Sequence, residues 1–340
     1  MTQRYTRLER FRPIGVDGVK RLREAHVVII GMGALGASQA EMLVRSGIGK
    51  LTIIDRDYVD TTNLQRQQLY TEQDVKRHLP KAYAAKNHLE AINSEVEIEV
   101  AIEDLFSGNA DRLLSNADLL LDGTDNFETR QLINDFSHRH GIPWIYGAAT
   151  ASYGVMMPII PGKTPCFHCL FSHQMVAGET CETAGIIGPA VQMTVALQLS
   201  EAMKLLTGHS EAIRHGLTTY DIWKNEQTTI RLDGLKVPHC PTCGVNPSYP
   251  FLKGDYESKT AVLCGRETVQ VRPTAFNERQ YTSVVQSLEK LEMIRRTNDF
   301  LTQFEADGHI VVLFKDGRAL IHGTSDPLIA KNLYQRYVGS

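Results

Sequence analysis

The sequence predicts an α/β protein: a large domain on a mainly parallel sheet, followed by a small α+β module. Three observations carry this expectation. A β-branched apolar run, His26-Val27-Val28-Ile29-Ile30, leads directly into Gly31-Met32-Gly33-Ala34-Leu35-Gly36, which gives a strand, a tight turn and a helix start in succession. Short apolar runs then alternate with helical patterns as far as Gly147, as parallel strands joined by helices do. Beyond Pro250 the elements become short strands with two helices, which marks a second body.

Taken in order, the first helix runs from the glycine turn to about Ser46. Leu51-Thr52-Ile53-Ile54-Asp55 is a second buried strand that ends on a carboxylate. Further strands are expected at 96–101, 118–121 and 144–147, with helices at 81–92, 108–115 and 126–140. After Gly154 the pattern changes to a strand at 155–160, a loop rich in Pro, Gly, Cys and His, and a helix at 189–206. That helix reads as apolar nearly all round and so suited to burial. A hairpin at 218–223 and 228–232 follows. The expected domains are therefore residues 1–249 and 250–340. In the second, strands are expected at 261–264, 268–271, 310–314 and 319–322, and helices at 283–291 and from Asp326. Gly317 supplies a positive φ to the turn between the last two strands.

The composition is that of an ordinary globular protein. In 340 residues, 42% are hydrophobic and 22% charged, with a net charge of -3. The cations are spread along the chain, which argues against nucleic acid and against a membrane surface as the main partner. The start of the chain is polar and Arg-rich, without the apolar stretch of a secretory signal, so a cytoplasmic location is expected. Four of the six cysteines form two Cys-x-x-Cys pairs, Cys166/Cys169 and Cys240/Cys243. In that compartment such pairs point to a metal site more than to cross-links. Four thiolates converging on one point make the usual structural zinc site.

Gly31, Gly33 and Gly36 form G-x-G-x-x-G between a strand and a helix, where backbone can approach a phosphate closely. Asp55 stands where a carboxylate accepts hydrogen bonds from a ribose. These features alone fit NAD and an oxidoreductase as well as ATP. Asp57, Asn63, Arg66 and Gln67 crowd into the next segment, and a nucleotidyl transfer uses such a group. Arginine and lysine offset charge on the phosphates, and amides orient them.

The stretches Gly31–Gly36, Asp55, Asn63-Leu64-Gln65-Arg66-Gln67, Pro80-Lys81 and Thr124-Asp125-Asn126 together resemble the adenylation domain of the ThiF/MoeB/ubiquitin-activating enzyme family. Arg4-Tyr5-Thr6-Arg7 resembles that family's opening. The resemblance spans about residues 4 to 245. It implies a Rossmann-like adenylation domain that uses ATP and Mg²⁺. In that reading Asp55 binds the ribose and the glycine turn, Ala34 included, packs against the nucleotide. Asn63, Arg66 and Lys81 bind phosphates with support from Asp57 and Gln67. Asp125, flanked by Asn126, binds magnesium, and Arg7 reaches the triphosphate of a neighbouring subunit in a homodimer. One local departure is Lys76-Arg77-His78-Leu79, where relatives often carry a shorter segment with glycine.

The implied reaction activates the Gly-Gly carboxylate of a ThiS- or MoaD-like ubiquitin-like sulfur carrier. A thiocarboxylate then forms for thiamine thiazole or molybdopterin synthesis, with sulfur from a donor such as a cysteine desulfurase. Cys181, in a polar glycine-flanked loop, resembles the cysteine that links to the carrier during sulfur transfer. Cys264 lies in an apolar strand context and reads as an inert thiol, and His168 and His173 read as bystanders. Three rivals remain: an NAD-dependent oxidoreductase, a non-catalytic binding subunit, and a family member that adenylates a substrate other than a carrier. The second domain shows no constellation of its own, and carrier docking, dimer support or a structural role are all open to it.

Overall fold

The computed structural model describes residues 3–171, 184–256, 260–262, 267–273 and 276–339. The chain divides into two compact units, Met1–Tyr256 and Glu257–Ser340. The first is built on strands β1 (His26–Ile30), β2 (Lys50–Ile54), β3 (Glu97–Ala101), β4 (Leu119–Asp122), β5 (Trp144–Thr150), β6 (Tyr153–Ile159), β7 (Gly216–Asp221) and β8 (Glu226–Arg231). They form one sheet in the order β3-β2-β1-β4-β5-β6-β7-β8. The first five run parallel, and β6 to β8 are antiparallel additions.

Burial explains this arrangement. In β1, β2 and β4 nearly every residue is buried on both faces, as helix-covered parallel strands require. The edge strand β3 alternates exposed and buried residues instead. The helix Ala34–Ser46 stops at Gly47, which takes a left-handed φ of 80° and donates its N–H to Val44 O. Asn126 starts the helix Phe127–His140 by accepting from the N–H groups of Glu128 and Thr129.

The helix Gly188–Thr207 differs from the expected apolar cylinder. Gln198 and Glu201 on it are fully buried. The amide of Gln198 donates to Asp122 O at 3.0 Å and Ile145 O at 3.2 Å, and Gln39 donates to both Asp122 O and Gln198 Oε1. Glu201 takes the N–H and Nε of Arg214 and the Nζ of Lys204. These polar groups tolerate burial because each has partners.

The short helix Pro250–Lys253 packs with the first unit. Asp135 accepts from the N–H groups of Phe251 and Leu252 and from Thr242 Oγ1, and Leu252 joins the main core with Trp144, Phe136 and Phe167.

The second unit is an antiparallel sheet in the order β11-β12-β13-β14-β10-β9. Its strands are β9 (Thr260–Val262), β10 (Thr268–Val271), β11 (Ile294–Thr297), β12 (Leu301–Ala306), β13 (His309–Phe314) and β14 (Ala319–His322). The helices Glu278–Lys290 and Pro327–Tyr337 cover one face through Tyr281, Leu288, Ala330, Leu333 and Tyr334. No described helix in either unit is long and apolar enough to cross a membrane.

Candidate nucleotide site and cysteine cluster

The site lies where β1, β2 and β4 end. Gly31 has a φ of 90°, and a Cβ there would stand 2.6 Å from Gly123 O. A Cβ on Gly36 would stand 1.8 Å from Gly31 O, so helix and turn meet backbone to backbone. Gly33 is different. Its Cβ would meet nothing nearer than Gln67 Nε2 and Gly123 O, both at 3.9 Å. Beside this open space the helix Ala34–Ser46 begins without a side-chain cap, which leaves its first N–H groups for an anion. Gln67 is buried next to it, and its Oε1 has no hydrogen-bond partner among the described residues. A buried amide with an orphaned oxygen beside an open glycine fits a polar ligand seated there.

Asp55 faces the same space. Its Oδ2 accepts from Met32 N and its Oδ1 from Asp57 N, both at 2.6 Å. Burial pushes its carboxyl above the ordinary range, against the pull of Lys81. Burial also pushes up the pKa of Tyr70, whose hydroxyl donates to Met32 O and so holds the turn from beneath.

Lys81 is aligned by pairing between two loops. Its N–H donates to Asp57 O at 2.9 Å, and Tyr58 and Pro80 form an isolated bridge. The result is an ion pair of 2.7 Å between Lys81 Nζ and Asp57 Oδ2, with the side chains 6% and 16% exposed. In the departing segment before Pro80, His78 takes a φ of 48°. That explains why glycine suits the position, and Lys81 still reaches the site.

Asn63 is fully buried and completes a capping box with Asp60. Arg66 is half-buried and donates to Thr62 O. Asp125 stands exposed beyond β4, and Asn126 uses its Oδ1 as a helix cap. Arg7 is exposed on the short helix Thr6–Glu9, outside this group.

Cys166, Cys169, Cys240 and Cys243 converge in one cluster, with all four sulfurs within 4.8 Å of one another. Cys166 Sγ lies 3.7 Å from Cys169 Sγ and 3.5 Å from Cys240 Sγ, and Cys169 Sγ lies 3.4 Å from Cys243 Sγ. These separations are well beyond a disulfide bond. Val237 N and Thr242 N donate to Cys169 Sγ and Cys240 Sγ. Hydrogen bonding among the sulfurs holds Cys169 below the ordinary thiol range and Cys166 above it. The group could hold a metal ion. His168 does not offer an atom to the cluster. Cys181, Cys264 and His173 lie outside the described residues.

A glycine turn, a ribose-competent carboxylate and a buried lysine of this arrangement have a known setting, and the ThiF family model matches residues 5–242. The chain belongs to the ThiF family. Over its whole length it is 47% identical to the whole of a Bacillus subtilis (strain 168) protein named sulfur carrier protein ThiS adenylyltransferase. It is 35% identical to a Thermus thermophilus sulfur carrier protein adenylyltransferase, over 77% of this chain and 96% of that one. Among solved structures, Escherichia coli MccB with MccA-N7isoASN superimposes with a TM-score of 0.62, covering 72% of this chain and 76% of that one. At 23% identity that likeness speaks for the fold alone. ThiF-family adenylyltransferases use ATP, and the expected α/β class and family membership both hold for this chain.

Two ion pairs of this ThiF-family site were not read from the sequence. Arg130 is buried and donates Nε to Asp122 Oδ2 at 2.8 Å and Nη2 to Thr124 O at 2.6 Å, bracing the turn that carries Asp125. The legible signal was Asp122, a carboxylate ending a fully buried strand just as Asp55 does. Arg56 pairs with Asp104 beside Asp55. Burial works against the Arg56 charge, but Asp104, Asp125, Asp57 and Asp55 together push its pKa up.

Proposed function

We propose that the chain is an ATP-dependent adenylyltransferase that activates the C-terminal Gly-Gly carboxylate of a ubiquitin-like sulfur-carrier protein. The observation that carries this reading is the convergence of Asp55, the Asp57–Lys81 pair, Gln67 and the open Gly33 at one helix start. Full-length identity of 47% to a protein named for that reaction supports it. The dinucleotide alternative accounts for the glycines and Asp55 but gives Lys81 no task.

In the proposed reaction a carboxylate oxygen of the carrier attacks the α-phosphorus of ATP in line. The bond to the bridging oxygen breaks, pyrophosphate leaves, and the carrier holds an acyl-adenylate. The nucleophile is already an anion and needs no general base, so catalysis consists of positioning and charge stabilisation. Asp55 holds the ribose, and the N–H groups after Gly33 face the phosphates. Lys81, Arg66 and Asn63 bind phosphate oxygens, with Gln67 donating beside them. Arg7 serves the active site of a second copy, so the working unit is a homodimer. Asp125, beside Asn126, would hold Mg²⁺, which offsets phosphate charge when bound. A tetrahedral zinc–thiolate site has sulfurs roughly 3.8 Å apart. The four cysteines stand close to that spacing, so we assign them a structural zinc. Cys181 is assigned to the later sulfur transfer and a cysteine desulfurase to sulfur supply.

ATP–pyrophosphate exchange tests the reading, with a Gly-Gly-tailed thiazole carrier and a molybdopterin carrier offered separately. Exchange that depends on one carrier is expected and names the pathway. Absence of exchange with either, from folded wild-type protein, refutes carrier activation.

A further inference from the structure

The adenylation reading leaves one cation next to the ribose carboxylate without a task. Arg56 follows Asp55 directly, and its Nη1 lies 3.2 Å and 3.3 Å from the two carboxylate oxygens of Asp104. The two side chains are 19% and 18% exposed. Asp104 belongs to the loop after β3, whereas Asp125, whose charge also acts on Arg56, follows β4. In the order β3-β2-β1-β4 those loops flank β2 and β1 from opposite sides. Through Asp104 the Arg56 guanidinium is anchored on the β3 side of Asp55, the side away from the glycine turn that follows β1.

The geometry of a nucleoside decides what Arg56 meets there. With its 2′ and 3′ hydroxyls on Asp55, a ribose directs C5′ to one side and C1′ to the other. The phosphate side is the side of Gly33, Gln67 and Lys81. The base side is then the side on which the chain continues to Arg56 and Asp104. We propose that Arg56 is the nucleobase-binding residue, stacking the plane of its guanidinium on the adenine ring while Asp104 holds it in place. The proposal rests on the adenylation reading. A planar cation anchored on a carboxylate can present a face to a π-system, which a flexible ammonium does not.

The test separates base from phosphate. Wild-type protein, Arg56→Met and Arg56→Lys are titrated by calorimetry with ATP and, separately, with inorganic tripolyphosphate, each with magnesium. Both substitutions are expected to weaken ATP binding by roughly three- to thirty-fold, the range of a partly desolvated cation–π contact. Both should leave tripolyphosphate binding unchanged, which also shows that the phosphate end of each variant is folded. Equal losses for the two ligands would make Arg56 a phosphate ligand and overturn the proposal. So would unchanged ATP affinity in Arg56→Met, or full ATP affinity in Arg56→Lys. Wild-type protein that bound neither ligand would overturn the adenylation reading beneath it.

Discussion

Replacing Asp57 with Asn probes the centre of the site, because it keeps the shape of the side chain and removes only its charge. The Lys81 side chain is 6% exposed and its Nζ lies 2.7 Å from its counter-ion, so the substitution strands a cation that water hardly reaches. Breaking a buried pair on one side costs about 3 kcal/mol, far more than a surface pair is worth. The loss should be partly recovered in Asp57→Asn/Lys81→Met, where the stranded ammonium is gone and only the Asp55 carboxylate loses its attraction. Both tryptophans, Trp144 and Trp223, lie in the first unit, so their fluorescence during urea unfolding reports on the unit that carries the site. ATP should raise the stability of Asp57→Asn more than that of wild type, because the triphosphate supplies the missing negative charge. Additive losses in the double variant, or a smaller response to ATP in Asp57→Asn, would refute the counter-ion role.

Three other expectations follow from the same geometry. Gly36→Ala sets a Cβ 1.8 Å from Gly31 O, a backbone contact that no rotamer relieves, and should destabilise the first unit by about 3 kcal/mol and abolish ATP binding. Wild-type stability with unimpaired binding would contradict the close approach. Elemental analysis should find one zinc per chain in the wild-type protein and well under one in Cys243→Ser. Asp74 is buried, which by itself raises its pKa, but hydrogen bonds from His88 and from Thr71 Oγ1 and N outweigh burial and lower it. A carboxyl with a depressed folded pKa adds stability above its unfolded value of about 3.9 and loses it as pH falls through the folded value. Asp74→Asn should therefore be less stable than wild type by about 2 kcal/mol at neutral pH, with a gap that closes as pH drops below about 4, followed by urea titrations across that range.

Elements that bury on both faces were the most legible. β1 and β4 are short apolar runs with no polar interruption, and the glycines around Gly31 announce both the turn and the helix. The helix caps at Asn126 and Asp326 also stand in the sequence as N-capping residues. β11 and β12 did not. Ile294–Thr297 reads IRRT and is largely exposed, with a register shift against β12, so periodicity had nothing to detect. The polar residues within the helix 189–206 went unremarked, because the groups that satisfy Gln198, Asp122 O and Ile145 O, are 76 and 53 positions away. Distance likewise hid Arg56 with Asp104, 48 positions apart, whereas Arg130 and Asp122 are 8 apart but sit on a helix and a strand whose contact no local pattern shows. The roles expected of Arg66, Lys81 and Asp125 came through resemblance, since residue type alone does not distinguish a phosphate or metal ligand from a solvated charge.

The pairing of Cys166 with Cys240 has a consequence for how the chain is made. The two residues are 74 positions apart. At roughly 5–20 residues per second, about 4 to 15 s of translation separate them. During that interval a nascent chain holds half of the four-cysteine cluster. It also holds an Asp135 whose partners, Thr242, Phe251 and Leu252, are 107 to 117 residues downstream. The sheet from β1 to β5 can close before then, but this end of its core cannot. A ribosome stalled before Cys240 would present an exposed Cys166/Cys169 pair and an unsatisfied carboxylate. Chaperones and oxidants would meet the newborn protein there first.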